Sequence, residues 1–267
     1  MNFKVFILAI AAVTVGLVEL IVGGILPIIA DDLQVTIGTA GQLITVFALV
    51  YAISGPVLLS LTAKTERKKL YLITLGVFFL GNVMTYFSPT FLFIMIARVI
   101  TAMSASLIIV LSLTITSKIV EPAYRARALG IIYMGISSSL VLGVPIGIVI
   151  TNIFGWRTVF LGIAVLSIGS MVLIYTFLEK IPPGNVLPLS YLIKSLGNLK
   201  IVGAHLALMF LLAGHYTVYA YFAPFLETTL YLNQYWISII YFLFVALRLL
   251  FCFKIFERSD NQIYELF

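Results

Sequence analysis

The chain has 267 residues, 62% hydrophobic and only 10% charged, with a mean hydropathy of +1.17. That composition fits a chain solvated by lipid and excludes a water-soluble globule, whose helices would have nothing to cover their apolar surfaces. The formal net charge of +6 calls for no nucleic-acid partner, because the basic residues follow a different logic, set out below.

Eight apolar stretches of about 20 residues follow one another, each long enough to cross a hydrocarbon core about 30 Å thick as a helix. The first, Val5–Ile29, carries Glu19 near its middle. Ala9-Ile10-Ala11 resembles a leader cleavage site, but the apolar run continues too far beyond it, so this stretch reads as a retained span. The second, Ala40–Leu61, has Gly41, Thr45, Ala48, Ala52 and Gly55 at steps of three and four residues. The third is Leu70–Phe87. The fourth, Thr90–Leu113, carries Arg98, with Thr101, Ala102, Ala105 and Ser112 on the same helical face. The fifth, Leu129–Ile150, repeats Gly135, Ser139, Gly143 and Gly147 every four residues, with Pro145 inside the stripe. Thr158–Leu178 is the sixth.

A polar interruption, Glu179–Lys200, then brings Pro182-Pro183-Gly184 and Pro188, which favour an extended linker over another helix. The seventh stretch, Ile201–Phe225, sets His215, Tyr219 and Phe222 on one face, and the eighth is Gln234–Phe253. The expected fold is an all-α polytopic transmembrane bundle: six helices over 1–178, a cytoplasmic linker over 179–200, and an incomplete second bundle over 201–267. From Val245 the composition changes to Leu-Arg-Leu-Leu-Phe-Cys-Phe-Lys and then a polar tail, Glu257–Phe267. This end reads as an early stop or shifted frame in preference to a genuine short protein.

Of the 16 basic residues, 13 lie in the terminal segments and alternate joints that share one side of the membrane when the amino end is inside. They include Lys64, Arg67, Lys68 and Lys69 in one joint and Lys118, Arg125 and Arg127 in another. Short loops rich in Lys and Arg stay cytoplasmic, so both termini are expected inside the cell membrane. The same residues also attract anionic lipid of the inner leaflet.

A charge at mid-membrane costs about 2.5–3.5 kcal/mol on insertion scales, so such residues face a cavity or a partner. Counting 1.5 Å per residue from the two helix centres puts Glu19 and Arg98 on the same outer side, within a few ångströms of one depth. Two readings follow. Glu19 is a proton carrier, protonated when desolvated and ionised when water or a cation reaches it, or the two residues form an ion pair locking the first helix to the fourth. The small-residue stripes allow close helix packing, and the proline adds a bend that neighbouring helices can satisfy. His215, Tyr219 and Phe222 present polar-tipped and aromatic groups suited to an amphipathic substrate, and equally suited to packing. His205 and His215 share a helix without other ligand types, and Cys252 is the only cysteine, so no metal site is expected. No Ser/His pair or cysteine nucleophile with a base stands in the apolar stretches, so no enzyme is expected.

These residues resemble the major facilitator superfamily of transporters, over roughly Met1 to Phe244. Leu61-Thr-Ala-Lys-Thr-Glu-Arg-Lys-Lys69 is similar to the family's first basic loop and Glu121-Pro-Ala-Tyr-Arg-Ala-Arg-Ala-Leu-Gly130 to its second. Arg98 stands where the family has an intramembrane arginine. Gly135, Gly143-Val-Pro145 and Gly147, followed by Gly155-Trp-Arg-Thr-Val-Phe160, resemble the glycine–proline motif of the antiporter branch. Gly16–Pro27, with Glu19, resembles the first helix of sugar and multidrug efflux members.

The resemblance implies a fold of twelve helices and export of a small organic molecule, drug or sugar, coupled to inward proton movement by alternating access. It implies no cofactor beyond the proton gradient. It assigns Arg67 and Lys68 to a gating loop, Arg98 to proton coupling, and Gly143 and Pro145 to the antiport motif. Ala63 and Glu66 stand where the basic loop has an acid and a glycine, and Ala102 replaces a helix-4 glycine. The implied partners are protons, a small-molecule substrate and the bilayer. The competing function is a non-transporting membrane protein, a remnant or a partner for another bundle.

Overall fold

The computed structural model describes residues 3–183 and 197–232 and the single positions 191, 194, 236, 239, 240 and 243, with some side chains in these segments left undescribed. They divide into two compact units, Met1–Val186 and Leu187–Phe267. The first holds six helices: α1 (Phe3–Asp32), α2 (Ile37–Leu61), α3 (Arg67–Tyr86), α4 (Phe91–Ile119), α5 (Arg125–Phe154) and α6 (Trp156–Phe177). The second holds α7 (Leu199–Leu230). The expected eighth span, Gln234–Phe253, lies largely outside the described residues.

Most helices outrun their apolar stretches at one or both ends, because capping needs polar residues beyond the hydrocarbon. Thr36 accepts from the Thr39 amide at 3.1 Å to open α2, and Thr90 accepts from the Phe93 amide at 3.4 Å to open α4. Such caps satisfy backbone donors that a helix cannot satisfy internally. Between α5 and α6 a single residue, Gly155, reverses the chain at φ = +86°, a conformation that side chains other than glycine adopt only under strain.

Helix α1 is central, touching α2, α4, α5 and α6 and pairing most extensively with α5, while α2 packs on α4 and α3 on both α4 and α6. Helices α1 and α4 are mostly buried within the unit, whereas α2 leaves most of its surface uncovered. Large apolar side chains outside the core, such as Leu49, Ile53 and Val165, are exposed. In water that would be a liability; in lipid it is the normal outer surface of a helix. Among the described residues, five helices (α1 to α4 and α6) are long and apolar enough, by length and composition alone, to cross a membrane. The fold is an all-α, multi-pass membrane bundle.

Polar staples fix the two ends of the first unit. At the α1 C-terminus, Arg157 donates from Nη1 to Asp32 Oδ2 at 2.7 Å and from Nη2 to the Ser88 carbonyl at 3.2 Å. Its guanidinium also lies 4.4 Å over the Trp156 ring. One arginine thus joins the ends of α1, α3 and α6.

At the α1 N-terminus the chain leaving α6 lies across the helix ends as a strap. Leu178 and Ile181 are buried in the core cluster. The Arg67 amide donates to the Ile181 carbonyl at 3.0 Å, and Lys118 Nζ reaches the Pro182 carbonyl at 3.5 Å. Lys4 Nζ pairs with Glu179 Oε1 at 2.7 Å. The sequence predicts a linker from residue 179; its first residues are instead held against the bundle, because two apolar side chains find cover there.

The Lys4 ammonium, by its hydrogen bond first and its charge second, holds the Glu179 carboxyl below its ordinary 4.5. A lowered folded-state value means that the pair contributes fully above the ordinary value and is lost as pH falls through the lower one. Amide hydrogen exchange at residues 179–181 is therefore expected to be faster in Glu179→Gln than in wild type at pH 7. The difference should close as pH falls through the lowered value of Glu179. Because the pair is solvent-exposed, the effect is local and small.

Candidate transport site

The fold brings α1, α2 and α4 together around one guanidinium. Arg98 on α4 is 1% exposed. Its Nη1 donates to the Val18 carbonyl of α1 at 3.2 Å, one residue from Glu19. Its guanidinium carbon sits 4.0 Å from the centroid of the Phe47 ring on α2. Nε and Nη2 are buried without a hydrogen-bond partner among the described residues. Glu19 is partly exposed and lies close enough for its charge to act on Arg98, but no direct ion pair joins the two. A desolvated cation–π contact contributes about 2 kcal/mol, too little to compensate two unsatisfied donors on a buried cation. The guanidinium is thus held in place but not neutralised.

Small residues seat the helices that carry this group. The stripe of α5 packs on α1 in parallel register. A Cβ placed on Gly135 would lie 3.0 Å from the Ala9 carbonyl oxygen, one on Gly143 2.9 Å from Leu17 Cδ2, and one on Gly147 2.5 Å from Ile21 Cγ1. A Cβ on Gly16 of α1 would overlap Ser139 Oγ. Pro145 sits inside the continuous α5 helix with its side chain exposed, outside that contact. On α4, Arg98, Thr101, Ala102, Ala105 and Ser112 are all buried, and Gly81 of α3 approaches Thr101 closely.

The α2 stripe behaves differently. Only Gly55 meets a neighbour, at Ser106 and Val110 of α4; Thr45, Ala48 and Ala52 are exposed and Gly41 faces open space. The buried face of α2 runs instead through Ala40, Leu43, Phe47, Ser54 and Gly55. Spacing alone does not say which of two faces turns inward, and here the larger apolar residues win the core.

In the joint between α2 and α3, Arg67 is fully buried and donates to the Thr62 and Ala63 carbonyls at 3.5 and 3.2 Å. With alanine at position 63, backbone carbonyls take the guanidinium. Lys68 reaches the Tyr175 carbonyl of α6 at 2.9 Å and lies 5.4 Å from that residue's ring centroid. These contacts tie α3 to the carboxyl end of α6. The side chains of His215, Tyr219 and Phe222 lie outside the described residues, though α7 carries all three positions.

Sequence reasoning misses several residues that the packing brings into play. Phe47 is one, an unremarkable aromatic in an apolar run. Polar partners are others: Tyr71, bonded to Ser112 of the Arg98 face at 2.7 Å, Thr14 with Ser170 at 3.1 Å, and Ser106 donating to the Tyr51 carbonyl at 2.6 Å. Their only sequence signal is a hydroxyl inside an apolar stretch. Such links average about 0.6 kcal/mol in membranes.

Comparison with known proteins agrees with this architecture. The family described as Major Facilitator Superfamily matches residues 8–258. The "Uncharacterized MFS-type transporter YbcL" of Bacillus subtilis (strain 168) is 39% identical over 225 residues, covering 84% of this chain and 58% of that protein. A "Probable sugar efflux transporter" of Mannheimia succiniciproducens is 28% identical, covering 84% of this chain and 56% of its own length. The chain thus spans little more than half the length of these relatives. Among solved structures, a bacterial homolog of the human lysosomal transporter Spinster, inward-facing and unoccupied, superposes with a TM-score of 0.67 over 86% of this chain and 56% of the other. Its 16% identity speaks to the fold alone. A family match over residues 8–258, together with the close seating of α5 on α1 and the buried arginine of α4, places the chain in the Major Facilitator Superfamily, a family of membrane transporters and not of enzymes.

Proposed function

We propose that the chain takes part in proton-coupled export of a small organic molecule, with a sugar as the leading substrate class, across the cell membrane. The observation carrying this reading is the buried Arg98 guanidinium, bonded to the α1 backbone beside Glu19 and with two donors that find no partner among the described residues. In this reading Glu19 carries the proton. Arg98 supplies a positive charge that favours ionised Glu19 and yields when the carboxyl is protonated. The names of the efflux relatives support the sugar class. Both termini and the basic joints lie on the cytoplasmic side, as the distribution of Lys and Arg requires.

The small-residue contacts of Gly135, Gly143 and Gly147 let α5 and α1 shift as packed bodies while Pro145 relaxes the α5 backbone. Arg67 and Lys68 hold the cytoplasmic ends of α3 and α6 in one arrangement. His215, Tyr219 and Phe222 contact the substrate from α7.

The test is uptake into inside-out vesicles carrying the full gene product, with an imposed proton gradient and with lactose and ethidium as probes. Uptake of lactose that collapses with a protonophore is the expected result. Uptake of both probes that ignores the gradient would remove proton coupling, and no uptake of either would place the chain among non-transporting membrane proteins.

A further inference from the structure

Phe47 is 3% exposed and turns its ring face to Arg98 at 4.0 Å. Tyr51, one turn on, stacks on that ring at 5.9 Å with the planes 25° apart. The Tyr51 carbonyl in turn accepts from Ser106 of α4 at 2.6 Å. The ring is therefore held from behind by its own helix, and that helix is pinned to the one bearing the arginine. An aromatic face attracts a guanidinium without accepting hydrogen bonds at its edge. That accounts for the state of the cation: faced by a ring, bonded once to α1, with Nε and Nη2 unsatisfied. Glu19 on α1 is the carboxylate within reach of its charge, and it is not bonded to it.

We propose that Phe47 is a positioning residue: its ring is the resting place of the Arg98 guanidinium, competing with the Glu19 carboxylate so that α4 is not locked to α1. An arginine without this rest would close on Glu19, and a permanent pair would hold the acid ionised through the cycle. With the rest present, Arg98 passes between ring and carboxylate as α2 shifts against α1. This role deepens the proton-coupling reading and rests on it. Tyr51, whose ring stacks on Phe47, is a further titratable group close to the ring.

Two readouts test it, one of them independent of transport. In nanodiscs containing the full chain with 15N-labelled arginine, the Arg98 side-chain N–H signals, assigned by their loss in Arg98→Lys, are expected to lie upfield from the ring current. They should move downfield in Phe47→Leu and stay upfield in Phe47→Tyr. The downfield signal should disappear again in the Phe47→Leu, Glu19→Gln double variant, because the carboxylate it had moved to is gone. In the vesicle assay, Phe47→Leu is expected to lower the maximal rate of lactose uptake about 30-fold, the scale of a desolvated cation–π contact, with KM unchanged, and Phe47→Tyr to restore it. An Arg98 signal indifferent to Phe47→Leu, or a downfield signal that survives Glu19→Gln, would overturn the proposal. If wild type transports neither probe, the coupling reading fails, and the spectra still decide where the guanidinium rests.

Discussion

Replacing Arg98 with methionine is expected to abolish proton-driven uptake while leaving the protein at least as stable as wild type. The side chain is 1% exposed, bears a full charge, and has two buried nitrogens without partners among the described residues. A charge kept in that condition is a cost to folding; an apolar side chain of similar length removes the cost and keeps the volume. Exchanging buried ionic groups for well-packed apolar ones has gained about 1–4 kcal/mol in other proteins. Activity should move the opposite way, falling at least about 100-fold, because no group remains to exchange with Glu19. Thermal unfolding in detergent and vesicle uptake, measured on the same preparations, check both halves.

The pairing of outcomes separates the two roles that the sequence leaves open for Arg98. A structural ion pair between α1 and α4 predicts a marked fall in stability, since breaking a buried pair costs about 3–5 kcal/mol. The observed geometry, with no direct pair, predicts none. Glu19→Gln supplies the complementary measurement: gradient-driven accumulation is lost, while exchange of labelled for unlabelled lactose across the membrane, which needs no net proton movement, continues.

Helix number and order up to α7 are legible in the sequence because lipid demands long apolar runs, and joints rich in charge, glycine and proline interrupt them. Glu19 and Arg98 stand out for the same reason, as charges where charges are expensive. The α5 stripe is legible as a contact, though not its partner: that Gly135, Gly143 and Gly147 seat on Ala9, Leu17 and Ile21 depends on which helices lie side by side. The α2 stripe shows the limit of spacing arguments, since Thr45, Ala48 and Ala52 are exposed and only its last member, Gly55, seats on α4. Phe47 is invisible to such arguments because an aromatic residue in an apolar run has no distinguishing cost. The strap after α6 is hidden for a related reason: proline and glycine mark the segment as non-helical, and its docking depends on Leu178 and Ile181, which look like the tail of the preceding span.

The interface of α1 and α5 sets up the second large effect, because its close contacts differ in what they can yield. At Gly147 an added methyl would meet Ile21 Cγ1 at 2.5 Å and Cδ1 at 2.6 Å, on a buried β-branched side chain whose χ1 a helix nearly fixes. At Gly143 it would meet the Leu17 Cδ2 methyl, the end of a flexible side chain. At Gly135 the obstacle is the Ala9 carbonyl oxygen at 3.0 Å, which moves only if the α1 backbone moves. Overpacking typically costs about 1–3 kcal/mol, so Gly135→Val and Gly147→Ala should sit toward the upper end and Gly143→Ala at the lower. Gly16 gives the most severe overlap, with the hydroxyl of Ser139, and that hydroxyl is itself bonded to the Ile136 carbonyl at 2.6 Å. Gly16→Ala is therefore expected to destabilise strongly on its own and to recover when Ser139→Gly is added, since the second change removes the obstructing group. Gly162→Ala and Gly169→Ala on α6, where a Cβ meets nothing within 4 Å, should be neutral or should gain up to about 1 kcal/mol from helix propensity. Unfolding midpoints in sodium dodecyl sulfate rank the series. If the α6 controls lose as much stability as Gly135→Val, or if Ser139→Gly fails to rescue Gly16→Ala, the close parallel seating of α5 on α1 is not what holds these two helices together.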